Sequence, residues 1–219
     1  MFYIIKGREP ASLTQYKKSK EAYFDGFPYK DDIRQSLLEE QGYLCAYCMR
    51  RIKSINEVTI EHYLPQSKTD TATGLDYRYM LGVCKRNREC AHKNQTCDAH
   101  RNNEPLTVNP WSQASISLIS YHQNSGDIFS NDKNIDKDLN ITLNLNCADA
   151  RLSLGRKEAL ESLKNFILKG HKTGTWNKSI LLDVREHYST KNADGMYMPY
   201  IGIILWYIDK RINKLASKD

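Results

Sequence analysis

The stretch "YLCAYCMRRIKSINEVTIEHYLPQSK", residues 43–68, decides the fold. It opens on Cys45 and Cys48, a C-x-x-C pair, and runs on to Glu61-His62 and Pro65. A C-x-x-C pair presents two soft ligands from one tight turn, which is half of a tetrahedral thiolate site. Between the two features, "NEVTIEHYLP" alternates Val58, Ile60 and His62. That is the period of a strand, and Pro65 ends it. A lone histidine on such a face reads as a hydrogen-bonded core residue. Whether it does more depends on what surrounds it.

Further along, "GVCKRNRECAHKNQTCDAHRNN" carries Cys84, Cys90 and Cys97. Cys84 and Cys97 complete a four-thiolate zinc site with Cys45 and Cys48, across the insertion 85–96. Cys90 or His92 is an alternative for either of the later two. The bland alternative is a set of buried thiols with no metal. No strand-helix-strand pattern surrounds the C-x-x-C, which argues against a thioredoxin-like redox pair. Cys147, alone in "LNLNCADA", reads as a small buried hydrophobe.

At 219 residues the chain is long enough to bury a substantial core. No apolar run approaches the roughly 18 residues that a membrane span needs. "MFYIIKGREP" turns polar too early for a signal peptide. These features point to a soluble, cytoplasmic protein, a reducing setting in which six cysteines favour metal thiolates over disulfides. The formal charge of +6 suits an anionic partner, moderately.

Three segments follow. Residues 1–44 are polar and then helical. In "DDIRQSLLEEQGYL", Ile33, Leu37, Leu38 and Leu44 share helical spacing, Asp31 or Asp32 is the N-cap candidate and Gly42 the stop. Residues 45–110 hold the Cys/His-rich zone. Residues 111–219 form a hairpin plus a helical lobe. Its hairpin turns at Asn124-Ser125-Gly126, and "NSGDIFSNDKNIDKD" reads as its most loop-like stretch. A helix ending at Gly170 presents Leu152, Ala159, Leu160, Leu163, Phe166 and Ile167. A second helix follows Pro199 and carries Ile201, Ile204, Leu205, Trp206 and Ile208. It reads either as a core helix closing the lobe or as a docking face.

The acid-His pair before a proline, set between two cysteine pairs and followed by a short helix, resembles the HNH endonuclease family in its four-Cys zinc form. The residues that carry the likeness are "LCAYC", Glu61-His62 with Pro65, "MLGVC" and "TCDAHRNN". A looser likeness, through "IIKGREPASLTQYK", "EHYLPQSK" and "LNLNCADARLSLGRKEAL", extends to the nuclease subunits of Septu anti-phage systems, some attached to retrons. One departure is Tyr79, which stands where the family usually has an Asn, and the family's final metal-binding position falls on Asp98, His100 or Asn102 of "CDAHRNN".

The resemblance implies an α+β fold, a zinc-stapled ββα-metal nuclease core (45–110) flanked by helical segments. It implies a metal-dependent nuclease acting on DNA or a structured RNA such as tRNA. An ATPase subunit is the implied partner, with a retron reverse transcriptase and its RNA-DNA hybrid in some systems. The residue types then suggest roles. His62 titrates near neutrality and suits a general base. Glu61 and Asp98 are hard oxygen donors suited to a catalytic Mg²⁺ or Mn²⁺. Consecutive strand residues face opposite ways, so Glu61 and His62 share a site only where the strand twists or ends.

Arg50, Arg51 and Lys53, with Lys85, Arg86, Arg88 and Lys93, form a basic cluster suited to phosphate contact. The alternative is a solvated charged face. Tyr63, Tyr77 and Tyr79 are candidates for base stacking or for packing beside the zinc. If the chain is instead a zinc-stabilised nucleic-acid binder without catalysis, it keeps its function when His62 is lost. If it is a scaffold, neutralising Lys85, Arg86 and Arg88 changes nothing about nucleic acid.

Overall fold

The computed structural model describes residues 1–65, 70–170 and 176–216. Residues 66–68 of "EHYLPQSK" therefore lie outside the described residues. The architecture is α+β, with two small antiparallel sheets among helices in the described residues. Two N-terminal helices, α1 (Ala11–Tyr16) and α2 (Lys30–Glu40), precede the first sheet. In α2, Ile33, Leu37 and Leu38 are buried, as their spacing requires. Asp31 and Asp32 do not cap it; the cap position is Tyr29, and the two acids lie in the first turn, where the helix dipole favours negative charge. Gly42 follows the helix at φ +58, a left-handed conformation that ends it.

The first sheet pairs β1 (Val58–His62) with β2 (Met80–Cys84), in register Glu61 to Leu81 and His62 to Met80. A short helix, α3 (Thr71–Gly74), lies in the connection between them. The two faces of β2 feed two cores. Met80 joins Leu13, Phe27, Ile33 and Leu37 on one side. Leu81 and Val83 join the main core on the other. Gly82 lets α2 approach, since a Cβ there would lie 3.3 Å from Leu37 Cβ. The buried Gln41 seals this junction, accepting from Gly82 N at 2.7 Å and donating to Gly82 O at 2.8 Å. Each aliphatic side chain so buried contributes about 1.5–3 kcal/mol.

After β2 come α4 (Asp98–Arg101) and α5 (Gln113–Ser117), and then the second sheet. It pairs β3 (Ile119–Tyr121) with β4 (Ile128–Ser130), the expected hairpin, turning through Gly126 at φ +80. The stretch expected to be loop-like contains β4 and α6 (Lys133–Lys137), which Asp132 caps through Asn134 N and Ile135 N. Three longer helices close the lobe: α7 (Leu152–Gly170), α8 (Lys178–Ser189) and α9 (Ile201–Ala216). Helix α9 buries Ile201, Ile203, Ile204 and Ile208, so most of its apolar surface is core. The buried stripe of α7 departs from the expected one. It takes in Arg156, while Phe166 is exposed and stacks on His187 with centroids 5.5 Å apart.

The main core joins residues from all three segments, from Met1 and Leu38 through the cysteines to Ile208. Among the described residues no helix is long and apolar enough to cross a membrane.

Candidate metal centre and acid pair

Local geometry builds the first half of the metal centre. The chain tightens after Leu44, with Cys45 N donating to Arg50 O and Met49 N to Cys45 O, and Met49 at φ +63 completes the turn. Cys84 comes from the end of β2, and its N–H donates to Cys45 Sγ at 3.4 Å. Cys97 precedes α4 at φ +60, an uncommon conformation for a non-glycine residue. Its N–H is anchored on Leu143 O at 2.9 Å.

All four sulfurs are buried and lie within 4.8 Å of one another. Cys45 Sγ is 3.8 Å from Cys97 Sγ, and Cys48 Sγ is 3.7 Å from Cys84 Sγ. Disulfides need about 2.05 Å, so these are not disulfides. A ZnS₄ tetrahedron with bonds of about 2.3 Å has edges of about 3.8 Å. The donor set and its spacing therefore fit a structural metal such as zinc. Burial opposes a thiolate at Cys48, yet hydrogen bonds from Cys45, Cys84 and Cys97 and the Arg50 charge hold it well below the usual thiol range. Cys90 is exposed and stays outside the cluster, as does His92. Cys147 is buried apart from it, near the carbonyls of Lys93 and Asn94.

The proposed catalytic residues divide between the faces of β1. Glu61 is buried, and its Oε1 accepts from Tyr47 Oη at 3.0 Å and from Arg101 Nη1. Both donors use the same oxygen, and the carboxyl also shares a hydrogen bond with Asp98. Asp98, at the start of α4, is the neighbouring acid. Burial and the Asp98 charge push Glu61 up to about 8, and Arg101 works against them. Asp98 itself is paired with Arg88, which also lies 3.4 Å from Thr59 Oγ1.

Arg101 ties this site together, and sequence reasoning missed it. Its side chain is 1% exposed. Beyond Glu61 and Tyr47, it donates to the carbonyls of His62, Tyr63 and Glu104. The knuckle (Tyr47), the strand (Glu61) and the helix (Arg101) are thus joined by one buried ion pair. Its sequence signal was an arginine one helical turn after Asp98.

His62 turns the other way. Its ring meets Phe24 edge-on, with centroids 4.4 Å apart, and its Nε2 lies 3.0 Å from Gly74 O. A carbonyl only accepts, so Nε2 carries the hydrogen and Nδ1 keeps its lone pair. Burial lowers its pKa below the ordinary 6.5, which keeps the ring neutral at pH 7.

The basic residues also divide. Arg50 bonds Asn87 Oδ1 and Ala150 O; Arg51 bonds the carbonyls of Gly42, Tyr43 and Tyr197. Both guanidinium groups are thus engaged within the fold. Lys85, Arg86 and Lys93 are exposed and form no ion pair among the described residues, while Arg88 is exposed but paired. Of the tyrosines, Tyr77 is buried against Glu40, and Tyr63 and Tyr79 both meet Trp111 edge-on.

What the fold and site define is an α+β protein with a four-cysteine centre able to hold a metal. No protein-family model matches the chain, and no curated protein matches it.

Proposed function

We propose that the chain is a metal-dependent nuclease of the HNH class, a PtuB-like subunit that hydrolyses phosphodiester bonds in DNA or a structured RNA such as tRNA. The observation that carries this reading is the meeting of Glu61 and Asp98. Two acids 37 positions apart in sequence come together where a zinc-type knuckle, a hairpin strand and a short helix converge.

Glu61 Oε2 and the Asp98 carboxylate would hold the catalytic cation. When bound, Mg²⁺ or Mn²⁺ supplies charge neutralisation at phosphorus and at the leaving oxygen. His62 takes the proton of the attacking water at Nδ1, its neutral ring oriented by the Gly74 carbonyl. Because His62 and Glu61 leave β1 on opposite faces, the phosphodiester in this reading crosses the C-terminal end of that strand. Lys85, Arg86 and Lys93 contact neighbouring phosphates. By the same resemblance an ATPase subunit is the proposed partner, with a retron reverse transcriptase and its RNA-DNA hybrid in some systems.

A zinc-stabilised nucleic-acid-binding module without catalysis is the second reading. The anchoring of Glu61 by Arg101 and of His62 by Gly74 favours it. Incubating purified protein with plasmid, phage DNA and total tRNA in Mg²⁺ or Mn²⁺, with and without its ATPase partner, separates the two. Cleavage that disappears in His62→Ala while binding persists supports the nuclease. Binding with no cleavage under any of these conditions supports the module.

A further inference from the structure

The outer face of the β3–β4 sheet carries aromatic rings that the core does not use. The strand register sets Ile119, Tyr121 and Ile128 on the buried face, and Ser120 opposite Phe129 on the other. His122, two residues after Ser120, follows onto that outer face. The solvent side of an antiparallel sheet is ordinarily polar. Here the exposed His122 lays its ring flat on Phe129, with centroids 4.3 Å apart and planes 17° apart. Among the described residues no hydrogen bond engages the His122 ring.

Helix α9 supplies the facing wall. Trp206 meets Tyr121 edge-on, with centroids 5.6 Å apart, and Lys210 Nζ stands 5.0 Å from the centre of the Trp206 ring. Lys210 is exposed and forms no ion pair among the described residues. Gln123, Asn124 and Asn131 complete the lining of a cleft of about 820 Å³ between hairpin and helix. Among the described residues no carboxylate lines it; Asp127, in the hairpin turn, accepts from Ser125 Oγ at 2.7 Å.

Three chemistries therefore meet in one cleft. Stacked rings receive a flat aromatic group, side-chain amides offer both donors and acceptors, and a lone ammonium attracts an anion. A neutral sugar leaves Lys210 unanswered, and a phosphorylated side chain leaves the rings unanswered. A nucleotide answers all three. We propose that this cleft binds one nucleotide of a single-stranded nucleic acid, its base stacking on His122 and its phosphate meeting Lys210. The strand must be single because duplex bases are already stacked on their neighbours. The inference rests on the reading of the chain as a nucleic-acid protein. It adds a contact that shares no residue with the acid pair or with Lys85, Arg86 and Lys93, and it holds whether or not the chain cuts.

The test uses the full chain with no added Mg²⁺ or Mn²⁺. Fluorescence anisotropy follows fluorescein-labelled single strands of about ten nucleotides, in DNA and RNA arms, and a duplex of the same sequence. His122→Ala should weaken single-strand binding by about 5–100-fold, the loss of one stacked base, and leave duplex binding unchanged. His122→Tyr, which keeps a ring, should retain most of the affinity. Lys210→Gln should lower the salt slope by about 0.7, one phosphate on a single strand, with Lys18→Gln unchanged. Equal affinity of wild type and a folded His122→Ala protein overturns the proposal. So do equal losses in the Ala and Tyr variants, the result expected if the ring only braces the hairpin, and so does chitotriose bound here in place of an oligonucleotide. Single-strand binding lost only when Lys85, Arg86 and Lys93 become Gln refutes the cleft and spares the proposed function. Binding lost in His122→Ala from a chain that never cuts supports the cleft without the nuclease. If His122→Ala does not fold, the salt slope of Lys210→Gln, on α9, decides.

Discussion

Replacing Arg101 by Met keeps its volume and removes its charge and donors. Five acceptors are then left without their partner: Tyr47 Oη, the Glu61 carboxyl, and the carbonyls of His62, Tyr63 and Glu104. At about 1 kcal/mol for each neutral acceptor, the destabilisation sums to roughly 4–5 kcal/mol. Breaking a buried ion pair from one side, the estimate that applies above pH about 8 where Glu61 is ionised, costs about 3–5 kcal/mol. For a chain of this size, that corresponds to a fall in Tm of about 6–20 °C. Glu61→Gln keeps the shape and an acceptor for both donors, so it costs less, about 1–2 kcal/mol.

The destabilisation from Arg101→Met is also pH-dependent, and its sign follows from Glu61. The folded carboxyl is pushed up to about 8, above its ordinary 4.5. That value holds with Arg101 present, whose charge lowers it; without Arg101 the carboxyl stays protonated to higher pH still. Below about 8 it is neutral in both proteins, and the penalty from this group grows as pH rises above about 8. Urea titrations followed by circular dichroism at pH 6 and pH 9 measure both effects. A destabilisation under about 1 kcal/mol at both pH values would refute the strut role given to Arg101.

Cys45→Ser should leave no folded protein at 37 °C, because a structural metal contributes folding free energy directly. Elemental analysis of wild type should give one zinc per chain, and soluble, folded protein without metal would contradict this. His62→Ala should slow cleavage by about 10²–10⁴-fold with folding, zinc content and nucleic-acid affinity retained. Because burial lowers the His62 pKa, wild-type cleavage should rise with pH to a plateau whose midpoint lies below 6.5; a midpoint above that value removes His62 as the base. Changing Lys85, Arg86 and Lys93 to Gln should weaken nucleic-acid binding and flatten its dependence on salt, by about one slope unit for each phosphate no longer neutralised. An unchanged slope would return these residues to an ordinary solvated face.

The features set by local spacing were legible without a structure. Two cysteines separated by two residues close one turn whatever surrounds them. A period of two makes β1, and periods near 3.6 make α7 and α9, because these follow from backbone geometry alone. The opposite orientation of Glu61 and His62 was likewise implied by the strand itself. What the sequence left open were choices between distant groups. Cys97 rather than Cys90 closes the metal site, because Cys97 is drawn inward by the Leu143 carbonyl while the insertion leaves Cys90 in solvent. Helix α8 announced itself only weakly, with Leu181, Val184 and Tyr188 buried on one side of a largely polar segment.

Arginines show the limit most clearly. Arg51, Arg101 and Arg156 look alike in sequence to Arg86, an exposed phosphate-binding candidate. Tertiary packing turns the first three onto carbonyls or an acid of the fold, fully burying Arg101 and Arg156, at sequence separations up to 146 residues. A side chain's type states what it can bond to. Only the folded chain decides which partners arrive, because burial of a charge depends on groups that sequence neighbours do not supply.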